Sequence, residues 1–458
     1  MKLFPSSYNY SHRINSRYNL INNTLTGALD IIENNIWNLA EDKKFSSINA
    51  EPLSNLIERG YLYYDLKKED EILVTLYNNY IKKASARPLR FVFCPSYQCN
   101  LRCTYCFETE LPSNPNKFMS GNILDDSIKT AEEISKEKSG KVDSVELFGG
   151  EPLLLKNKPL LKKIFNFARD KDAPITIITN GVMAKDFIDL LLPVKEKIDM
   201  LQITVDGPSE IHDRRRKYPS GKGSFNEISK SIDLLLKNNI NTNVRVNIDN
   251  TNIEHIFDLY EYFSKKSWLI HPIFSIRLAL VIDHSTMDYN NVIIPEEKLL
   301  ERLIEVYDKY PVLEDLFGFY IFKPLRHILD IVSGAPNVSP KFFNCESNLL
   351  ELNVFCPDGY IYACGESIGK PDYAIGKFSP RLEFYPDKEK LWTERTILNI
   401  EKCRTCKFAP LCGGGCAFSS ILIYKDNSKP ICERYQEVLD TFLRLRGEKI
   451  LKKYMNDS

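Results

Sequence analysis

The chain has 458 residues, 43 % apolar and 27 % charged, the balance of a folded protein of two or three domains and not of a disordered one. Lys plus Arg and Asp plus Glu number 61 each, so the basic excess of a nucleic-acid binder is missing and no nucleic-acid partner is expected. The first residues hold no apolar signal core, and no apolar run nears the roughly 18 residues needed to cross a bilayer, so no membrane contact and a cytoplasmic location are expected.

Residues 1–88 carry no cysteine. The segment YNLINNTLTGALDII mixes β-branched and aromatic residues as strands do. ENNIWNLAE and AEPLSNLIERG have helical spacing, with Gly60 as a stop, and YLYYD follows as a short strand. This predicts a small α+β, winged-helix-like module, with EDEILVTLYNNYIKKA as a connector helix. Over 89–335 the pattern becomes α/β. LRFVFC, SVELFG, ITIIT, LQITVD, NVRVNID and SIRLALVI are short apolar runs separated by amphipathic stretches. Six such units fall short of the eight of a closed barrel and predict a partial (β/α)6 TIM-like barrel, its site at the C-terminal strand ends. Over 336–458 the alternation stops. This tail is irregular and rich in Cys, Gly, Pro and aromatics, needs staples to fold, and closes with the helical stretch ERYQEVLDTFLRLRGEKILKKYM.

The twelve cysteines are clustered, four within 94–106 and eight within 345–432. Clustered thiols in a chain with no signal peptide point to metal rather than to disulfides. Cys99, Cys103 and Cys106 form C-x3-C-x2-C just past the first barrel strand. Three thiolates hold three irons of a 4Fe–4S cube and leave the fourth open to a small molecule. Tyr105 and Phe107 can shield it. The alternative is a four-ligand zinc site with Cys94, a residue that falls inside the strand.

This triad, with an aromatic before its last cysteine, resembles the signature of the radical S-adenosylmethionine (SAM) superfamily. The resemblance implies a cluster whose open iron chelates the amino and carboxylate groups of SAM. It implies reductive cleavage of SAM to methionine and a 5′-deoxyadenosyl radical that takes a hydrogen from substrate. Gly149, Gly150, Glu151 and Pro152 at the second strand end resemble the family's GGEP loop, which binds the SAM amino group. Glycines there allow close backbone approach, and Glu151 adds an acceptor. Thr179 and Asn180 at the third strand end, Asp206 at the fourth, and Arg245 and Asn247 on the fifth are polar where a buried parallel strand should be apolar. They are further candidates for holding SAM, Arg245 for its carboxylate, against ordinary capping and salt bridging. IHDRRRKYPSGKGSF is similar to the matching loop of the family. Its basic run otherwise reads as a solvated surface.

Cys345, Gly359 and Cys364, then Cys403, Cys406, Cys412 and Cys416, then Cys432, resemble the SPASM extension of peptide-modifying members. The resemblance implies two auxiliary 4Fe–4S clusters, three clusters in all. One would use Cys403, Cys406, Cys412 and Cys432. The other would use Cys345, Cys364 and Cys416, with Cys356 or an open site as the fourth position. Two zinc ribbons are the alternative. Family members with this extension act on peptides or proteins, and the N-terminal module loosely resembles a leader-recognition element that takes a leader as an added strand. The expected function is thioether crosslinking of a ribosomally made precursor peptide bound through its leader, with a flavodoxin or ferredoxin as electron donor. Carbon–carbon or carbon–oxygen crosslinking and formylglycine formation on a sulfatase are alternatives. Sulfatase maturases carry an Asp after the cysteine matching Cys364. Here Gly365 stands there, and Glu366 is the candidate base. An iron–sulfur regulator or binding protein is the alternative of another class.

Overall fold

The computed structural model describes residues 2–84, 87–108, 111–138, 141–282, 293–335 and 340–456. Strands β1 (Asn9–Arg13), β2 (Tyr18–Asn23) and β3 (Leu29–Glu33) form an antiparallel sheet in that order. Its Ile21 shares a small core with Trp37, Leu56 and Leu62, from helices Asn34–Glu41 and Ala50–Glu58 and the strand Leu62–Tyr63. Helix Lys67–Ala84 then packs Tyr77 edgewise and Tyr80 tilted on Phe342, at ring distances of 5.3 and 5.7 Å.

The main sheet holds β4 (Leu89–Phe93), β5 (Val142–Leu147), β6 (Ile175–Thr179), β7 (Ile198–Thr204), β8 (Thr242–Ile248) and β9 (Phe274–Leu280), each parallel to the next. The six expected units are present. Their convex-face residues Phe91, Leu147, Ile177, Ile203 and Val246 are buried in one apolar core. Each fully buried side chain of this kind contributes about 1.5–3 kcal/mol.

The alternate residues differ from a sheet covered on both faces. Arg90 bonds Glu146 at 3.2 Å, Asn243 bonds Ser275 at 2.8 Å, and Arg277 bonds Gln202. Curvature into an open barrel leaves this face lining a lumen rather than a helix layer, so polar residues are satisfied across strands. The tail also departs from expectation. Its β10 (Leu352–Phe355) is a seventh parallel strand on the free edge of β4, and β11 (Tyr360–Tyr362) folds back antiparallel. The expected boundary at 335/336 falls at the edge of the described residues, since 336–339 lie outside them.

The closing helix, Tyr435–Asn456, binds the N-terminal sheet. Tyr10 donates to Asp440 at 2.9 Å and His12 meets the same carboxylate at 3.0 Å. Among the described residues no helix is long and apolar enough to cross a membrane.

Candidate radical cluster site

The loop after β4 brings the first three cysteines over the strand ends. Cys99 Sγ accepts from the Leu101 amide at 3.4 Å and from Asn180 at 3.6 Å. Cys103 is pinned by a two-residue antiparallel pairing in which it stands opposite Arg216. The amide of Cys106 donates to the carbonyl of Cys103 at 3.3 Å. Burial pushes the Cys99 thiol up to about 12, with the charges of Glu151 and Cys103 adding to it. Burial also raises Cys103, against the lowering pull of Arg216, and raises Cys106, where Glu108, Cys103 and Cys99 add to it. Each of the three lies within reach of another's charge. Among the described residues no three Cys, His, Asp or Glu side chains are set to hold a single metal ion. Three thiols gathered on one loop, with no fourth cysteine beside them, are the donor set of a cube that keeps one open corner. Cys94, the possible fourth zinc ligand, points elsewhere.

The Gly149–Gly150 turn lies against this loop. Gly150 has φ +48°, and a Cβ there would stand 2.6 Å from the carbonyl oxygens of Ser96 and Gln98. Only glycine fits, so the turn and the cluster loop touch backbone to backbone. The Glu151 amide donates to Gln98 at 2.8 Å. Its carboxylate accepts from Thr179 Oγ1 at 2.6 Å, the Asn180 amide at 2.7 Å and the Leu153 amide at 2.8 Å. Glu151, only 1 % exposed, thus ties the second strand end to the third. Asn180 reaches on to Asn100 at 2.7 Å. Four of the candidate SAM residues, Gly150, Glu151, Thr179 and Asn180, therefore form one connected unit under Cys99.

Asp206 and Asn247 form a second unit. Asp206 accepts from the Tyr105 hydroxyl and from the Asn247 amide at 3.0 Å. Tyr105 also receives Arg216 at 2.7 Å and Asn247 Nδ2 at 3.1 Å, and the Arg215 guanidinium lies 4.8 Å from its ring centre. Arg215 bonds Asp249 at 2.6 Å. The expected solvated basic surface is thus only partly one. Arg214 is exposed, while Arg215 and Arg216 are 6 and 7 % exposed because the helix Ser209–Arg215 turns them beneath the cluster loop. Arg216 and Glu108 were not singled out from sequence. The signals available were an alternation of exposure hidden inside a basic run and an acid two residues past Cys106. Arg245 bonds Asn247 at 2.7 Å, and Glu366 acts on it electrostatically.

The eight later cysteines divide by neighbourhood. Cys364, raised by burial, feels Cys416, Glu366 and Cys345. Cys403, raised by burial to about 11, feels Cys406 and Cys432, and Cys412, raised by burial to about 12, feels Cys403 among others. Three glycines set the approach between Cys412 and Cys416. A Cβ on Gly413 would lie 2.2 Å from the Phe343 carbonyl, and one on Gly415 1.9 Å from the Ile431 carbonyl. Those neighbours precede Cys345 and Cys432, so the same tight loop serves both groups. Arg395, also unforeseen, holds it by donating to the carbonyls of Gly414 and Lys429 at 2.7 Å and of Asn427. Cys403, Cys416 and Cys412 all act on its charge.

The structure does not bring Cys356 to Cys345, Cys364 and Cys416. It turns from the end of β10 into an apolar cluster with Val92, Tyr97 and Tyr362, where its thiol bonds that of Cys94. Both are fully buried, and Cys94 Sγ would stand 2.3 Å from a Cβ on Gly149. The strand directions of β4 and β10 make the two cysteines partners. A cavity of about 700 Å³ runs from Arg245 and Arg277 along β9 to Cys416 and Glu433.

Residues 93–263 match the model of the Radical SAM superfamily. The chain is 26 % identical over 346 residues to a cysteine-type anaerobic sulfatase-maturating enzyme of Clostridium novyi, covering 70 % of this chain and 85 % of that one. It is 24 % identical over 356 residues to the antilisterial bacteriocin subtilosin biosynthesis protein AlbA of Bacillus subtilis, covering 75 % and 70 %. Among solved structures, native anSMEcpe with bound AdoMet matches with a TM-score of 0.59 at 21 % identity, over 81 % of this chain and 100 % of that one. Streptococcus suis SuiB bound to the precursor peptide SuiA matches with a TM-score of 0.52 at 15 % identity, over 95 % and 100 %.

Proposed function

We propose that this chain, a radical SAM enzyme carrying a radical SAM domain, modifies a ribosomally made peptide and joins a cysteine sulfur to a carbon of another residue. When bound, a cluster on Cys99, Cys103 and Cys106 and a SAM molecule supply a radical able to take a hydrogen from substrate. The observation that carries the reading is the cavity that links Arg245, near that cluster's loop, to Cys416 of a second thiol group. A peptide lying there would meet both centres.

In this reading Tyr105, Asp206 and Arg216 hold the triad loop in place, and Glu151 holds Thr179 and Asn180. Two auxiliary clusters would sit on Cys403, Cys406, Cys412 and Cys432 and on Cys345, Cys364 and Cys416. With Cys356 bonded to Cys94, the second would have a non-cysteine fourth position. The precursor's leader would pair with the outer edge of β3, which has no second strand partner among the described residues. A flavodoxin or ferredoxin would supply the electron.

A second reading, formylglycine formation on a sulfatase, is favoured by Glu366. That carboxylate stands where Cys364, Arg245 and Glu108 all respond to its charge, one residue from the expected base position. The test is mass spectrometry of a candidate precursor peptide after anaerobic incubation with reconstituted enzyme, SAM and reductant. Loss of two hydrogens together with a free thiol supports the thioether. The same loss with thiols intact means a carbon–carbon or carbon–oxygen link. A cysteine turned into an aldehyde in a sulfatase peptide supports the second reading.

A further inference from the structure

The side-chain amide of Asn180 is held at both ends. Its Oδ1 accepts from the Val182 amide at 3.0 Å, which fixes the end of the group that carries the nitrogen. The backbone amide of the same residue donates to Glu151 Oε2 at 2.7 Å, and the residue is 6 % exposed. Nδ2 carries two hydrogens. It donates to Asn100 Oδ1 at 2.7 Å and to Cys99 Sγ at 3.6 Å. Both hydrogens are thus used within the protein, one of them on a sulfur. The Cys99 thiol turns its own hydrogen towards Asn100 Oδ1, at 3.9 Å. A thiolate on iron has no hydrogen to give, so the sulfur then only accepts, from Asn180 and from the Leu101 amide at 3.4 Å.

We propose that Asn180 is a positioning residue that raises the reduction potential of the cluster on Cys99, Cys103 and Cys106, by donating through Nδ2 to the Cys99 thiolate. An electron entering such a cluster adds negative charge to its irons and sulfurs. A hydrogen bond to a ligand sulfur therefore favours the reduced form, and such bonds are among the features that set these potentials. In a buried site the bond is strong, and water does not replace a lost donor. The inference rests on reading Cys99 as a ligand of the SAM-binding cluster. It gives Asn180 a part in the arrival of the electron rather than in holding SAM.

The test is a potentiometric titration of anaerobically reconstituted holoprotein without SAM, followed by electron paramagnetic resonance. The triad signal is the one missing from Cys106→Ala, and the other iron signals are internal controls. Asn180→Ser keeps a hydroxyl for the Val182 amide and is too short to reach Cys99. At the wild-type midpoint its ratio of reduced to oxidised triad cluster is expected to fall about three- to ten-fold, a shift of up to about 59 mV for one electron. The control signals are expected to keep their midpoints. A triad midpoint equal to that of wild type overturns the proposal, and weakened SAM binding beside it makes Asn180 a SAM contact. An equal shift of every signal overturns it as a general structural effect. Should the Ser variant lose triad iron, Asn180→Thr is titrated under the same criterion. Loss of triad iron from both assigns Asn180 to holding the loop and overturns the proposal. Iron-loaded wild type with no signal that depends on Cys106 overturns the underlying cluster assignment and this inference with it.

Discussion

The hydroxyl of Tyr105 is bonded to the carboxylate of Asp206 across 101 residues of sequence. This bond locks the loop between Cys103 and Cys106 to the end of the fourth barrel strand. Arg216 and Asn247 converge on the same hydroxyl, at 2.7 and 3.1 Å. An aromatic placed before the last cysteine therefore does more than shield. It is the hub through which the ends of the fourth and fifth barrel strands and Arg216 fix the thiol geometry.

Tyr105→Phe keeps the ring and removes the hub. Asp206, Arg216 and Asn247 would each lose a partner in a buried site, at about 1–3 kcal/mol per stranded group. The expected outcome is near-normal iron loading with deoxyadenosine formation reduced about ten-fold or more. Anaerobic reconstitution followed by chromatographic product assay checks it.

Arg395 plays the matching part in the tail. It donates to three carbonyls and to Ser420 Oγ, at 3.2 Å, from a position 2 % exposed. Arg395→Met strands those acceptors and removes a charge beside Cys403, Cys416 and Cys412. It is expected to cost about 3 kcal/mol or more and to lower iron content below that of wild type. Arg395→Lys is expected to rescue only part, since an ammonium cannot reach the carbonyls as a planar fork does. Iron analysis and anaerobic thermal unfolding of both variants check this.

The barrel was legible in the sequence because its convex face is apolar at period two and its helices punctuate the strands. Phe91, Val145, Ile177 and Val244 mark it residue by residue. Cysteine spacing marked the groups, since thiols in close sequence have few other reasons to gather. What was missed depends on contacts distant in sequence. Nothing local in CPDGYIYAC shows that Cys356 meets Cys94, because that contact exists only once β10 pairs with β4. Arg215 and Arg216 read as surface because burial beneath the cluster loop is a tertiary fact. Asp206, polar at a strand end, and Glu151, an acceptor in the GGEP-like turn, read as ligand contacts, and the structure fills most of their acceptor positions with protein donors.

His212 makes stability depend on pH. Burial, with Arg216 next, lowers its pKa to about 3, and its ring meets the Asp206 amide at 3.3 Å and Ser224 at 3.0 Å. Burial likewise lowers His327 to about 4. The unfolded chain binds a proton at each below about pH 6.5, and the folded chain refuses it. The neutral rings' contribution is thus fully present above about pH 6.5 and is lost as pH falls towards the folded values. Each adds a slope of about 1.4 kcal/mol per pH unit in that window. His212→Gln is expected to be less stable at neutral pH but to show a shallower fall towards pH of about 5. Anaerobic thermal unfolding of the holoprotein across pH checks it.

Two classes of cysteine separate by iron content. Cys364→Ser is expected to bind about four irons fewer per chain than wild type. Cys356→Ser, beside Cys94 and away from the other thiols, is expected to keep the full complement. Equal losses would place Cys356 among the ligands.

The most direct measurement is deoxyadenosine production by anaerobically reconstituted protein given SAM and a strong reductant. It is compared with variants in which Cys99, Cys103 or Cys106 is Ala. Deoxyadenosine and methionine are expected from wild type and neither from any of the three variants, even where auxiliary iron is retained. Iron-loaded wild type that forms neither product, or a triad variant that forms both, would contradict the radical SAM assignment of the triad.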